Sequence, residues 1–254
     1  MSTSQPEGQP KVTILTAAYN SLEGLRRTVA SVSSQTYAAY EHVVVDGGSS
    51  DGTADWLEQH GESIKWISEP DEGIADALNK GLKMASGEWV LVLHAEDTFE
   101  GPNSLRRATD MLSPAADVVC FDVMFAAENR VRTLKTSGLK RKINIKPFPH
   151  QGAFTRSTLF ERVGAFDESF AICMDYDFYL RAYRAGVRSV VEHSALTRMP
   201  GTGVSSRVNW AALRARFGEE RAVHERHSPN ALSSFLYKIY WPMYLGYRWT
   251  RSRL

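Results

Sequence analysis

The sequence predicts an α/β protein built on a mostly parallel central sheet with helices on both faces. Three observations lead there. β-branched apolar runs alternate with helical patterns of apolar spacing through the first hundred residues, as expected of strands joined by crossover helices. At 254 residues, 43% of them hydrophobic, the chain can bury one large core. Polar side chains also collect where the apolar runs stop, at Tyr19 and Asn20, at residues 46–51 and at residues 94–97. Open α/β sheets bind ligands at the carboxyl ends of their strands, so these three ends should share one crevice.

Each element follows from its residues. "KVTILTAAYN" is a buried strand, after which Ser21 stands as a helix N-cap and Leu22, Leu25, Val29 and Val32 mark one helical face. "YEHVVVDGGSSDGT" is a second strand ending in Asp46 and a Gly/Ser loop, with Asp51 or Thr53 to cap a helix that stops at Gly61. "SIKWISEP" is a short third strand. Ile74, Ala77, Leu78, Gly81, Leu82 and Ala85 line the next helix, Gly87 ends it, and "EWVLVL" is the fourth strand. The second half is less regular. "DVVCFDVMF" and "HQGAFTR" read as strands, and "STLFERVGAFDESF" as a short helix and turn. "DYDFYLRAYRAG" is an amphipathic helix with Asp175 at its start, "SVVEHSALTRM" a last strand, and "PGTGVSS" a glycine-rich loop. Between them "NRVRTLKTSGLKRKINIK" holds seven Lys/Arg and no acid, a hairpin or a flap.

Composition excludes several classes. Net charge is +1, so the chain as a whole is no electrostatic nucleic-acid binder. The charge is uneven: residues 207–254 carry 9 Lys/Arg against 3 Asp/Glu, and the remainder 21 against 26. Cys120 and Cys173 stand in apolar company and read as buried thiols. Residues 1–10 lack a basic and an apolar region and read as a flexible leader, and no run is long enough to span a bilayer. A dinucleotide-dependent oxidoreductase would suit the alternation, but "TAAYNS" follows the first strand in place of G-x-G-x-x-G.

Taken in order, "VTILTAAYN", "SVSSQTY", "VVVDGGSSDGT", "EPDEGIADALNKGLKMASGEWV", "LHAED", "HQGAFTR", "GAFDESF" and "MDYDFYLR" resemble glycosyltransferase family 2, inverting enzymes of the GT-A fold, and most of all its bacterial cell-surface polysaccharide and glycolipid branch. The resemblance covers roughly residues 11–206. It implies a nucleotide-binding half at 11–99, an acceptor-side half at 100–206, and a C-terminal helical segment at 207–254. The implied reaction moves a sugar from a nucleotide-diphosphate donor, a UDP-sugar, to a hydroxyl of a glycan or lipid-linked acceptor, with a divalent cation, Mn2+ or Mg2+, on the diphosphate.

The resemblance also implies site residues. The family's Asp-x-Asp metal element aligns with His94, Ala95 and Glu96, followed by Asp97, so Glu96, Asp97 and His94 become metal candidates; Ala95 and Glu96 also fall at the donor. Asp46 and Gly47 align with the nucleotide loop, where many members have a second Asp in place of Gly47. Ala17 and Tyr19 match the loop that packs on the base, Asp76 and Asn79 a helix start facing the nucleotide, and His150 with Gln151 a pair near the sugar. Asp175 aligns with the general base, Met174 replacing the neighbouring Glu. Plain structural readings stand beside these. Asp97, Asp51 and Asp175 could be caps, Asp76 and Lys80 an i,i+4 ion pair, and Asp177 the base instead. The substitutions at His94, Glu96 and Met174 also suit a catalytically impaired relative that only binds a nucleotide or partner.

The tail reads directly from its residues. Seven aromatics lie between 235 and 249, with Arg248, Arg251 and Arg253. Rings and basic side chains without a spanning length describe a segment at a membrane interface, or else a Pro242-kinked helix packed on the domain. The expectation is a cytoplasmic enzyme held peripherally at the inner face of the plasma membrane.

Overall fold

In a computed structural model, the structure describes residues 11–127, 130–144, 147–203, 206, 209–228 and 230–251. The expected leader at 1–10 lies outside the described residues, as do Asn129, Ile145 and Lys146 of the basic stretch, Val204 and Ser205 of the glycine-rich loop, and residues 252–254.

The first half alternates as expected: β1 (Val12–Ala18), α1 (Leu22–Ser33), β2 (Tyr40–Asp46), α2 (Thr53–His60), β3 (Ile64–Ser68), α3 (Ile74–Met84) and β4 (Trp89–Val92). These four strands pair in parallel in the order β3-β2-β1-β4. After β5 (Thr98–Phe99) and α4 (Ser104–Thr109) come β6 (Val118–Ala127), β7 (Arg130–Leu134), β8 (Ala153–Arg156), α5 (Ser157–Val163), α6 (Met174–Arg184) and β9 (Ser189–Pro200). Here the sheet is mixed. β8 runs antiparallel to β4 and β6, β9 runs parallel to β6, and the full order is β3-β2-β1-β4-β8-β6-β9-β5. The basic stretch opens as a hairpin, β7 pairing antiparallel with β6.

The central strands β1, β4 and β8 are buried on both faces, which is why they read as nearly unbroken apolar runs. Side chains alternate between two cores. Leu15, Val43, Val90, Val118 and Cys120 meet α3, α5 and α6 through Leu78, Leu159 and Phe178. Ile14, Trp89, Leu91, Val119 and Phe121 meet α1 and α4 through Val32, Leu105 and Ala108. Both cysteines are free and buried.

Helix starts differ from their expected caps. The Ser21 side chain makes no capping bond. Asp51 instead serves both α1 and α2: Oδ2 accepts from the Leu22 N–H at 2.8 Å, and Oδ1 from the Thr53 N–H at 3.2 Å and Thr53 Oγ1 at 2.6 Å. One carboxylate thus fixes two helix N-termini where their dipoles favour negative charge.

The C-terminal segment forms α7 (Trp210–Arg226) and α8 (Ala231–Arg251), with Pro242 inside α8. α7 belongs to the domain. Val223 lies in the main core, and Tyr176 OH sits 2.7 Å from both Ile143 O and His224 Nε2. α8 packs on α7 through Trp241 against Leu213 and Phe217. Among the described residues no helix is long and apolar enough to cross a membrane.

Candidate active site

The carboxyl ends of β1, β2 and β4 open on one side of the sheet, as the parallel register requires. At the end of β2, Asp46 is fully buried. Its Oδ2 accepts from the Ser49 N–H at 3.0 Å and from Ser68 Oγ at 2.6 Å, and Oδ1 accepts from Ser49 Oγ. The Ser49 hydroxyl also accepts from the Asn20 N–H at 2.7 Å, joining the end of β1 to the loop. A Cβ at Gly47 would collide with the Asp71 carboxylate. Glycine here lets a second acid enter beside Asp46, from the loop after β3. Asp71 escaped the sequence analysis, and only this packing reveals it.

At the end of β4 the chain makes a tight turn. Asp97 Oδ2 accepts from the His94 N–H at 3.1 Å, and the Asp97 N–H donates to His94 O at 3.0 Å. Glu96 takes a left-handed φ of 87°, unusual for a side-chain-bearing residue and typical of strain held at functional sites. The turn is braced by buried Thr28 of α1, whose Oγ1 accepts from the Glu96 N–H at 3.0 Å and lies 2.8 Å from Asp97 O. Thr28 is a residue the sequence analysis missed. A polar side chain three residues after Leu25, on an apolar helical face, was its signal. A Cβ at Gly24 would meet both Ser21 and Glu96, so glycine is what allows α1 to approach the turn.

The acids of this turn differ. Asp97 is 4% exposed, and burial pushes it up to about 7 despite His150, the His94 N–H and Gln151 nearby. Glu96 is more open; its carboxylate accepts from Thr202 Oγ1 and lies 3.8 Å from Arg27. Thr202 belongs to the described part of the glycine-rich loop, which therefore reaches over the turn.

Across the crevice, β8 and α6 bring two more groups. His150 Nδ1 is 2.6 Å from Asp175 Oδ2, and His150 Nε2 is 3.3 Å from His94 Nε2. Asp175 Oδ1 accepts from the Tyr176 N–H at 2.7 Å. Burial opposes charge on both members of the pair. The Asp175 carboxylate outweighs it and raises His150, while His150 and the Tyr176 N–H hold Asp175 below the usual carboxylate range. Burial, with His150 adding to it, takes His94 down to about 3 and leaves a neutral imidazole. Asp177 points away, into His227 at 2.7 Å and Arg181 at 2.8 Å, fully buried. Gln151 is buried; its carbonyl accepts from Thr197 Oγ1 at 2.9 Å.

The remaining candidates lie around the rim. Tyr19 is exposed, and Ala17 O accepts from the Ala95 N–H at 3.2 Å. Asp76 accepts from the Glu72 N–H and pairs with Lys80 at 3.1 Å, which also reaches Glu69 at 3.0 Å. Asn79 clamps the loop before α6, donating to Phe166 O at 2.9 Å and accepting from its N–H at 3.0 Å. Glu219 of α7 accepts from the N–H groups of Ala171, Ile172 and Cys173, at 3.1, 2.8 and 2.8 Å, and so fixes the entry to α6.

Among the described residues, no three His, Cys, Asp or Glu side chains gather into a metal-binding cluster. The donor set nonetheless fits a cation that draws part of its shell from a ligand: neutral His94 and partly open Glu96 share one turn at the crevice.

The chain has relatives among known proteins. The model of "Glycosyl transferase family 2" matches residues 13–187. The chain belongs to glycosyltransferase family 2. It is 35% identical over 225 residues to an uncharacterized glycosyltransferase of Mycobacterium tuberculosis, covering 86% of this chain and 84% of that protein. It is 29% identical over 180 residues to a PGL/p-HBAD biosynthesis glycosyltransferase of Mycobacterium bovis, covering 68% and 70%. S. aureus TarS 1–349 in complex with UDP-GlcNAc superposes with a TM-score of 0.66 at 19% identity, over 85% of this chain and 71% of that one. The mannosyltransferase PcManGT of Pyrobaculum calidifontis, in complex with GDP-Man and Mn2+, gives 0.63 at 20%, over 93% and 75%. The fold of this family 2 glycosyltransferase is GT-A, followed by a C-terminal helical pair.

Proposed function

We propose that this glycosyltransferase inverts the anomeric centre, moving a sugar from a UDP-sugar to a hydroxyl of a lipid-linked or cell-envelope glycan. The observation that carries the reading is the Asp175–His150 pair, which faces the 94–97 turn across one crevice. In a single displacement the acceptor oxygen bonds to the anomeric carbon as the bond to the diphosphate oxygen breaks. The acceptor proton passes to Asp175. His150 holds that carboxylate in one orientation, and the low range of Asp175 keeps it ionised and ready to accept.

On this reading Asp46 and Gly47, with Ala17 and Tyr19, border the nucleoside. Asp76 and Asn79 shape the wall beside it, Ala95 and Glu96 meet the diphosphate, and Gln151 lies by the sugar. Glu96, His94 and Asp97 would hold a divalent cation, which supplies charge to stabilise the departing diphosphate. Residues 11–206 carry the reaction, 11–99 on the donor side and 100–206 on the acceptor side.

The C-terminal pair suits a lipid-linked acceptor. α8 buries Trp241 but leaves Leu232, Phe235, Leu236, Ile239 and Met243 open, the last 70% exposed. Their spacing puts them along one side of the helix, with exposed Lys238 as a cation. Such a surface docks on an anionic bilayer without crossing it, placing the enzyme peripherally at the cytoplasmic face. Vesicle flotation tests this part. Full-length protein should bind anionic vesicles, less as salt rises, and Leu236→Ser with Met243→Ser should not; equal binding would remove α8 from the account.

The main experiment is a panel of nucleotide sugars with Mn2+, Mg2+ or chelator, read as donor binding and as release of nucleoside diphosphate. UDP-sugar turnover with a divalent cation is expected. Binding without turnover for every donor and acceptor offered would leave a nucleotide-binding relative in its place.

A further inference from the structure

The motif alignment puts the cation at His94, Glu96 and Asp97, all in one turn. The geometry points to a different pair. We propose that the imidazoles of His94 and His150 together form a two-nitrogen site for a divalent transition cation, such as Zn2+ or Co2+, in the nucleotide-free protein. This rests on the glycosyltransferase reading only in that the cation would later meet a donor diphosphate.

The first argument is the relation of the two rings. Their Nε2 atoms are 3.3 Å apart, the centroids 5.3 Å apart and the planes 83° to one another. A tetrahedral cation about 2.0–2.1 Å from each nitrogen would set the nitrogens about 3.4 Å and the centroids about 5.2 Å apart. Both observed separations lie within about 0.1 Å of these values, so a cation fits between the two nitrogens with little change in ring spacing. The second argument is the partner behind the ring. A metal-bound histidine commonly donates its other ring N–H to a carboxylate, which orients it and raises its basicity. His150 Nδ1 has that partner, Asp175 at 2.6 Å. With Nδ1 so engaged, Nε2 is the atom left to bind, and the cation would replace the contact between the two Nε2 atoms.

The third argument concerns the acids. In this structure Asp97 Oδ2 faces the His94 N–H, and Glu96 is taken up by Thr202 and Arg27. The imidazoles are the ligands already at the right spacing, and Glu96 would join when a donor displaces Thr202. With two protein ligands and an open crevice, the remaining positions go to water and then to diphosphate oxygens, the pattern of a working site rather than a structural one. Two imidazoles also choose the ion: they suit Zn2+ or Co2+ far better than Mg2+ or Ca2+, which prefer all-oxygen shells.

The test uses the full chain without nucleotide. Co2+ is titrated and followed by its visible absorption, with Zn2+ and Mg2+ as competitors. One Co2+ should bind, displaced by Zn2+ and not by equal Mg2+. His94→Gln and His150→Gln should each weaken it by about tenfold or more, and Asp175→Asn, behind His150, by about tenfold. Glu96→Ala with Asp97→Ala should leave it within about threefold. His94→Asp keeps a ligand but exchanges nitrogen for oxygen, so it should retain folding, shift the Co2+ spectrum and gain competition by Mg2+. Circular dichroism on each variant separates lost binding from lost fold. Wild-type protein without a Co2+ band, or the same band in His150→Gln, overturns the site. UDP binding in chelator is measured on the same samples. If UDP binds and Co2+ does not, the imidazole site fails alone; if neither UDP nor any nucleotide sugar binds, the glycosyltransferase reading fails whatever the cobalt does.

Discussion

Two acids end the strands on either side of β1, and they are finished differently. Asp46, after β2, and Asp97, just past β4, are both buried. Asp46 receives a backbone N–H and two hydroxyls, from Ser49 and Ser68. Asp97 receives the His94 N–H and the Gln151 side chain, and burial still drives it up to about 7. The loop after β2 therefore closes on itself as a wall. The β4 side keeps titratable groups close together with few fixed donors: Asp97, His94, His150 and Asp175. A buried carboxylate with a full set of donors shapes a site, whereas one that lacks them leaves charge for a ligand, proton or cation to balance.

The largest expected effect falls on the titratable side. Asp175→Asn keeps the volume of the side chain and removes its basicity, and should lower turnover by about 10²-fold or more. Nucleotide affinity, set by the other wall, should change little. Steady-state rates alongside a nucleotide titration read both, and a variant with near-normal turnover would erase the functional division between the walls.

Next is the wall itself. Asp46→Ala strands the Ser49 N–H and two hydroxyls in a buried place, which should cost about 1–3 kcal/mol of stability. The urea midpoint should fall accordingly, and donor binding should weaken with it. An Asp46→Ala protein of unchanged stability that still binds UDP normally would mean that this loop does not depend on its carboxylate.

The effect that depends on pH is the most diagnostic. Asp97 holds its proton to about pH 7 when folded, but to only about pH 4 when unfolded. Between these values the native chain binds more protons than the unfolded one, so Asp97 makes stability fall as pH rises from about 4 to 7. Asp97→Asn keeps an acceptor for the His94 N–H and has no charge to bury. It should therefore be more stable than the wild type at pH 8 and nearly equal to it near pH 4. Urea midpoints that run parallel across that range would remove the contrast with Asp46.

Much of this was legible from residue order. The four parallel strands and their helices follow from apolar periodicity, because a strand buried on both faces has no other way to read. The ends at 46–51 and 94–97 also followed, since parallel strands must deliver their last residues to one edge. Other features had weaker local signals. Asp51 looked like a cap for one helix and serves two, because its second oxygen meets Leu22, 29 residues away in sequence. Thr28, Asp71 and Glu219 reach the site surroundings by packing across α1, the loop after β3 and α7, and no motif spacing marks them.

The sequence by itself determined the α/β architecture, the family, and which strand ends carry acids. These properties are local, or are repeated along the chain as patterns of residue type. Tertiary structure decided which groups face each other. His94 follows a parallel strand, His150 precedes a strand running the opposite way, and Asp175 begins a helix beyond both. Their meeting depends on β8 pairing antiparallel with β4. That pairing is a long-range contact, and the distance between two imidazole nitrogens exists only once the chain has made it.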